Sequence, residues 1–99
     1  MSPFPVRIGS AAQHDISDTV TWYEAQRPGL GERFLWALDD LVHRIADNPR
    51  QFPVVESQVR RALLPRFPYA LYFTVTTDCV VVVAVLHVRR HPKEWQRRV

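Results

Sequence analysis

The most constraining feature of this sequence is the uninterrupted apolar run from Val80 to Leu86. A continuous run of this length, bounded by polar segments, is typical of a strand that is covered on both faces. It is far shorter than the ~20 apolar residues that a membrane-spanning helix needs. The run therefore predicts an interior strand from Cys79 to Val88, and the rest of the chain must supply its cover.

The first half of the chain is predicted to form two helices. The first begins at Ser10, because Ser10 and Gln13 have the spacing of a capping box with Ser10 as the N-cap. Arg-Pro-Gly-Leu-Gly at residues 27–31 ends it. The second helix runs from about Leu30 to Asp47 and is stopped by Asn48-Pro49. Apolar positions at helical spacing form one face of each helix: Ala12, Ile16, Val20 and Tyr23 in the first, and Phe34, Leu38, Leu41 and Ile45, widened by Leu35 and Val42, in the second.

Trp36 lies on the opposite side of the second helix from this apolar stripe. Two interpretations are open for an exposed tryptophan at such a position. Its ring packs along its own helix, or it is an anchor for a partner protein, because tryptophan is enriched at binding hot spots.

The second half of the chain is predicted to form strands. A short strand at residues 4–8 precedes the helices, and strands at residues 59–64, 69–76 and 79–88 follow them, with a turn at Thr77-Asp78. A short helix or tail follows Pro92. The predicted order is β-α-α-β-β-β. We expect one α+β domain over residues 1–99, in which a helical hairpin packs on one face of a mostly antiparallel sheet.

Several classes of protein are excluded by what the sequence lacks. A single cysteine cannot form an internal disulfide, and residues 1–10 lack the basic and long apolar segments of a secretory signal, so we expect a cytoplasmic protein. His87 and His91 have the spacing of metal ligands on a helix, but His87 ends a strand and no further ligand motif accompanies the pair. There is no phosphate-binding glycine loop and no nucleophile elbow. We expect no metal, no cofactor and no membrane association.

Charge is divided unevenly between the two halves of the chain. Residues 1–58 contain five basic and eight acidic side chains, whereas residues 59–99 contain eight basic and two acidic ones. The candidate site consists of the histidines and basic residues of the second half: Arg60, Arg61, Arg66, His87, Arg89, Arg90, His91, Lys93, Arg97 and Arg98. These side chains either form a solvated rim paired with the acids of the helices, or they bind an anionic partner.

Four segments carry a resemblance to a known family: RPGLGERF at 27–34, the Asn-Pro after the second helix, RRALLPRFPYALYF at 60–73 and AVLHVRRHPKEW at 84–95. The chain resembles the RelE/ParE superfamily of type II toxin–antitoxin toxins. Its Pro-Gly-Leu-Gly, Phe-Pro-Tyr and His-x-Arg-Arg-x-Pro-x-x-Trp segments are more similar to the ParE branch. The resemblance implies a growth-inhibiting toxin that forms a hetero-oligomer with a cognate antitoxin and is neutralised by it. Toxins of the ParE type act on DNA gyrase, and those of the RelE type cleave messenger RNA on the ribosome.

Acid–base chemistry separates these two activities. If the protein is a ribonuclease, its catalytic residues are expected to be Arg61, Arg66, His87, Arg89 and His91. Arginine stays protonated near neutral pH and is a poor general base, so only the two histidines are suited to move protons. No tyrosine follows Tyr72, and Trp95 stands where a catalytic tyrosine is wanted.

We therefore expect a gyrase inhibitor without catalytic residues of its own. The alternatives are a ribosome-dependent mRNA endonuclease, and a non-toxic module that binds an antitoxin or nucleic acid. The residues expected to bind partners are Arg60, Arg61, Arg66, Arg89, Arg90, Trp36 and Trp95.

Overall fold

A computed structural model describes residues 3–99. Five strands form one sheet: β1 (Val6–Ile8), β2 (Val54–Glu56), β3 (Val59–Leu63), β4 (Tyr69–Val75) and β5 (Val80–His87). Two helices, α1 (Ser10–Gln26) and α2 (Leu30–Asp47), lie between β1 and β2 in the chain, and short 3-10 helices cover Pro49–Gln51 and Glu94–Arg98. The spatial order is β1-β5-β4-β3-β2, with β1 parallel to β5 and the other neighbouring strands antiparallel. The predicted α+β architecture is confirmed.

The helices cover one face of the sheet, and the central residues of the apolar stripe predicted for α2 form its buried face. Val42 is half-buried, but Leu35 is 41% exposed, so its predicted place in the stripe is wrong. Phe34, Leu38, Leu41 and Ile45 are at most 6% exposed. They share a core with the side chains that β3, β4 and β5 direct to the same side: Ala62, Leu71, Phe73, Val80, Val82 and Val85. Because full burial of a large apolar side chain contributes about 1.5–3 kcal/mol, this stripe holds the helical hairpin against the sheet.

The turn between the helices allows them to pack closely. Gly29 has a φ of +90°, a left-handed conformation that glycine adopts without a steric penalty. The Glu24 carboxylate accepts hydrogen bonds from the backbone N–H groups of Gly29 and Gly31, at 2.9 and 3.1 Å. A Cβ atom on Gly31 would stand only 2.9 Å from the carbonyl oxygen of Val20. Glycine at position 31 is therefore needed for α1 and α2 to approach each other this closely.

The opposite face of the sheet carries a smaller apolar cluster, which comprises Val59, Ala70, Tyr72, Ala84, Leu86 and Trp95. Trp95 comes from the C-terminal 3-10 helix, and its ring stacks on that of Tyr72 at a centroid distance of 5.3 Å and an interplanar angle of 17°. The apolar run in β5 is therefore covered by helices on one side and by the C-terminal segment on the other, although Val81 and Val83 stay partly exposed.

A bulge interrupts β5 at Val83. Ala84 pairs with Tyr72 and Val82 pairs with the next residue of β4, so Val83 has no partner on that strand. The extra residue shifts the alternation of side chains. Val83 and Ala84 both belong to the far cluster, whereas Val82 and Val85 belong to the core beneath the helices.

The predicted capping box at the start of α1 is wrong. The N-cap is Gly9, and it makes no side-chain capping bond, while Ser10 is already helical. The Gly9 N–H group donates to the carbonyl oxygen of Val82 at 2.9 Å, which extends the pairing of β1 with β5 up to the first residue of the helix. The side chain of Gln13 reaches back and donates to the Ile8 carbonyl oxygen at 2.9 Å.

Strand β2 is absent from the predicted element order. It is only three residues long and pairs with β3 after a turn in which Ser57 has a φ of +54°. Three residues are too few to show the alternation on which strand prediction depends, so the pairing with β3 defines this strand.

Candidate functional site

The chain reverses direction after β5 in a turn that displays basic side chains, and residues 87–91 are called the basic turn. The His87 side chain stabilises this turn, because its Nδ1 atom accepts hydrogen bonds from the backbone N–H groups of Arg89 and Arg90, at 3.1 and 3.2 Å. Burial lowers the pKa of His87, and the charges of Arg90, His91 and Arg89 lower it further. The neutral ring therefore acts as a structural hydrogen-bond acceptor for the turn.

Arg90 is anchored in the basic turn. Its Nη2 atom donates to the Tyr69 hydroxyl oxygen at 3.1 Å, and its guanidinium carbon stands 5.6 Å from the centroid of the Trp22 ring on α1. Such a cation–π contact favours a fixed guanidinium. The Tyr69 ring in turn packs edge-on against His87, with 5.3 Å between centroids. The Arg89 guanidinium, by contrast, donates to no side chain or carbonyl within residues 3–99 and is exposed.

A cleft of about 360 Å³ lies between α1, the basic turn and the C-terminal segment. Its lining mixes both signs of charge: Arg90 and Arg98 with Asp15, Asp18 and Glu94. Because the carboxylates would repel a negatively charged ligand, the cleft is poorly suited to a polyanion.

The C-terminal members of the predicted site are engaged within the fold. Arg98 forms an ion pair with Asp15 of α1, and Arg97 pairs with Glu94 one turn earlier. Trp95 is only 5% exposed, and its indole N–H donates to the Pro92 carbonyl oxygen at 3.1 Å. The Trp95 ring is therefore accessible to a partner only if the C-terminal segment moves away from the sheet.

The two arginines of β3 have different environments. Arg60 Nη1 donates to the carbonyl oxygens of Phe52 and Arg50, at 2.6 and 3.3 Å, so it ties β3 to the segment after α2. Arg61 is exposed and stands opposite Tyr72 in the β3–β4 pair. Since directly paired residues share a face, Arg61 projects from the far face of the sheet.

The structure does not gather the five candidate ribonuclease residues into one centre. His87 is paired with Tyr69, whose ring lies in the core beneath the helices, and this places His87 on the helical side of the sheet. Arg61 projects from the other side. Arg89 and His91 lie in the basic turn, and Arg66 lies in the loop between β3 and β4.

Trp36 and Arg66, two of the residues expected to bind partners, line the same groove. It has a volume of about 770 Å³, lies between α2 and the loop at residues 64–68, and is called the tryptophan groove. Trp36 is 61% exposed, which agrees with its position opposite the buried stripe of α2. Arg66 has a φ of +69°, an uncommon value for a residue other than glycine.

Three residues that matter in the basic turn and its surroundings were not among the predicted site residues: Asp15, Trp22 and Tyr69. Trp22 carried a usable signal, because it falls outside the apolar stripe of α1 just as Trp36 does on α2. Asp15 and Tyr69 carried none, since their roles depend on partners far along the chain.

Two further properties hold for residues 3–99. No three side chains of histidine, cysteine, aspartate or glutamate are grouped so that they could hold a metal ion. Neither long helix combines the length and apolar character that crossing a membrane requires.

Comparison with known proteins identifies a family and a fold. A family model described as the ParE toxin of the type II toxin–antitoxin system parDE matches residues 6–92. The structure is similar to one of a chromosomal ParDE toxin–antitoxin system from P. aeruginosa, with a TM-score of 0.76 and 16% identity, covering 85% of this chain and 95% of that one. It is also similar to the RelBE2 toxin–antitoxin complex from Mycobacterium tuberculosis, with a TM-score of 0.63 and 20% identity, covering 88% and 93%. At such identities these structures support the fold alone. No curated protein matches the sequence.

Proposed function

Because the chain belongs to the ParE toxin family of type II toxin–antitoxin systems, we propose that it inhibits growth by binding DNA gyrase and that a cognate antitoxin neutralises it. The protein acts in the cytoplasm, where gyrase is found, and contributes no catalytic residue. Its effect on gyrase comes from occupying a surface that the enzyme needs.

The observation that carries this proposal is the separation of Arg61 from His87 on opposite faces of the sheet. A ribonuclease needs a general base, a general acid and a charge-stabilising group around one phosphate. The His87 Nδ1 atom is already occupied by two backbone N–H groups. The arrangement therefore supports a binding function over an RNA-cleaving one.

The basic turn is the surface that we assign to the target. Arg90 is held between Trp22 and Tyr69, so little side-chain freedom is lost when it meets an acidic surface. Arg89 is exposed beside it. The turn therefore presents one fixed cation, Arg90, and a neighbouring exposed one, Arg89, to an acidic surface of a partner.

Purified protein tests the proposal directly. We expect it to inhibit DNA supercoiling by gyrase in proportion to its concentration, while a ribosome-based translation reaction proceeds normally. Arg89→Glu should weaken inhibition. The matched control is Arg7→Glu, at an exposed position on β1, which should leave inhibition unchanged. Ribosome-dependent cleavage of messenger RNA with uninhibited gyrase would contradict the proposal and favour the endonuclease. Absence of both effects would favour a non-toxic binding module.

A further inference from the structure

The tryptophan groove combines an apolar floor with a basic rim. Leu41 and Phe67 lie at its base, and Leu41 is buried in the main core. Phe67 is fixed from behind, because its ring packs edge-on against Tyr23 and Phe34 at centroid distances of 5.1 and 5.3 Å. The groove is therefore a stable feature of the folded chain, built on core residues.

Trp36 is the exposed wall of this groove. Within residues 3–99 its ring forms no aromatic or cation–π pair, whereas Trp22 contacts Arg90 and Trp95 stacks on Tyr72. Trp36 is 61% exposed, so most of its surface is available to a partner. Burying an exposed tryptophan in an interface contributes more than burying almost any other side chain.

The charge around the groove selects the kind of partner. Arg33, Arg44 and Arg66 stand on its lining with a single acid, Asp40. None of the three arginines forms an ion pair within residues 3–99, but the Arg44 guanidinium carbon already lies 5.7 Å from the centroid of the Phe52 ring. The guanidinium groups of Arg33 and Arg66 are therefore available to carboxylates, which arginine binds through two parallel hydrogen bonds. The apolar floor and Asp40 disfavour a nucleic acid, whose backbone needs an unbroken basic track. An acidic protein segment with a large apolar side chain suits this lining.

The loop that carries Arg66 holds it in a strained conformation. The Tyr69 N–H group donates to the Phe67 carbonyl oxygen at 2.7 Å, and the Leu64 N–H group donates to the Tyr69 carbonyl oxygen at 2.9 Å. These bonds and the packed Phe67 ring keep Arg66 at a φ of +69°. Glycine would adopt this conformation more easily, so folding does not explain an arginine at this position.

We infer that the tryptophan groove is the docking site for an acidic segment of the antitoxin, with an apolar side chain of that segment packed between Trp36 and Phe67. This inference rests on the proposed neutralisation by an antitoxin. It assigns the antitoxin to the α2 side of the molecule, while the basic turn is assigned to gyrase. Arg33 and Arg66 then pair with carboxylates that flank the apolar anchor.

Titration of the purified protein with the antitoxin, taken as the product of the reading frame adjacent to this one, tests the inference. We expect Trp36→Ala to weaken binding by about 10- to 100-fold, as for a hot-spot residue. Arg66→Glu should weaken it by about 10-fold. The matched controls lie on other surfaces: Leu63→Ala, an exposed apolar residue of β3, and Arg7→Glu on β1, both of which should change affinity less than about twofold.

The variant Arg66→Gly shows whether a loss of affinity results from misfolding. Glycine relieves the left-handed backbone, so this variant should melt at or above the temperature of the unaltered protein while its affinity for the antitoxin falls. Unchanged antitoxin affinity in both Trp36→Ala and Arg66→Gly would overturn the inference. If these two variants lost gyrase inhibition and kept their antitoxin affinity, the inference would also be overturned, and the groove would be assigned to gyrase.

The titration measures antitoxin affinity, which does not depend on whether the protein inhibits gyrase. If the unaltered protein fails to inhibit gyrase, the proposed target is wrong, yet weaker antitoxin binding by Trp36→Ala still supports the docking site. If the unaltered protein inhibits gyrase but substitutions in the tryptophan groove do not change antitoxin affinity, the proposed docking site is wrong and gyrase remains the proposed target.

Discussion

Arg98 and Asp15 form a two-pronged ion pair that joins the last residues of the chain to its first helix. Nη1 donates to Oδ2 at 2.6 Å, and Nη2 donates to Oδ1 at 3.1 Å. Asp15 Oδ2 also accepts the backbone N–H group of Val85 at 3.0 Å, and Arg98 Nη1 donates to the Val83 carbonyl oxygen at 3.1 Å. Because β1 pairs with β5 only up to Val82, these two side chains satisfy the β5 backbone beyond the end of β1.

Replacement of Asp15 should therefore destabilise the fold. Asp15→Ala leaves a partly buried guanidinium and the Val85 N–H group without their partner, and we expect the free energy of unfolding to fall by about 2–3 kcal/mol. Asp15→Asn retains one acceptor oxygen and should cost less. Urea denaturation measures both. A double-mutant cycle with Arg98→Met that shows no coupling energy would contradict a direct role for the ion pair.

Gly31→Ala should destabilise the protein although alanine favours helices. On an open helix surface this change would gain about 1 kcal/mol. Here the added Cβ atom meets the Val20 carbonyl oxygen at 2.9 Å and the Glu24 carboxylate at 3.1 Å. We expect a net loss of about 1–3 kcal/mol from the forced separation of α1 and α2. Thermal unfolding measures it, and an increase in melting temperature would show that the helices are free to move apart.

The lowered pKa of His87 predicts a loss of stability in acid. A base whose pKa is lower in the folded state binds fewer protons when folded than when unfolded. Its contribution is fully present above the unfolded pKa of about 6.5, and it is lost as the pH falls through the folded pKa. The neutral ring accepts two N–H groups at Nδ1, so its own hydrogen is on Nε2. Protonation places a hydrogen on Nδ1, and this breaks both hydrogen bonds and opens the turn.

The variant His87→Asn separates this effect from the other histidines. Asparagine Oδ1 occupies nearly the same place as Nδ1 and accepts the same N–H groups, but it does not titrate. Chemical denaturation from about pH 8 down to about pH 5 should show a steeper decline for the unaltered protein than for the variant. Parallel curves would show that His87 contributes nothing to the acid sensitivity.

Trp95→Ala should unfold or loosen the C-terminal segment. Removing a buried ring that stacks on Tyr72 is expected to lower the free energy of unfolding by about 3–5 kcal/mol. Trp95→Phe keeps an aromatic ring on Tyr72 and loses the bond to the Pro92 carbonyl oxygen and part of the buried ring volume, so it serves as the milder control. A stable Trp95→Ala protein with impaired antitoxin or gyrase binding would instead assign Trp95 to a partner interface.

Arg89 and Arg90 should differ in their effect on folding. Arg89→Ala removes an exposed guanidinium and should leave stability within about 0.5 kcal/mol while weakening gyrase inhibition. Arg90→Ala also removes contacts with Trp22 and Tyr69, and we expect it to lower stability by about 1 kcal/mol. Denaturation curves and supercoiling assays on both proteins measure this difference. Equal losses of stability would show that Arg90 is not anchored.

Elements that depend on neighbours along the chain could be predicted from the amino-acid sequence. The buried stripe of α2 follows from periodicity, and it is confirmed except at Leu35, which is exposed. The interruption at 27–31 follows from proline and glycine, and it is also confirmed. Trp36 was correctly placed on the outer face, because a 100° rotation per residue decides that position locally. The apolar run correctly predicted the interior strand β5.

Which basic residues remain available to a partner depends on contacts between distant parts of the fold. Arg98 is paired with a carboxylate 83 positions earlier, and Arg60 donates to carbonyl oxygens after α2. Trp36 and Arg66 meet in one groove because the β3–β4 loop packs beside α2. The physical reason is that an arginine has no local signature of being free or paired: its partner is chosen by sheet register and helix packing, which act between distant segments. The sequence therefore gives the number of charged side chains, and the fold determines which of them are paired and which are exposed.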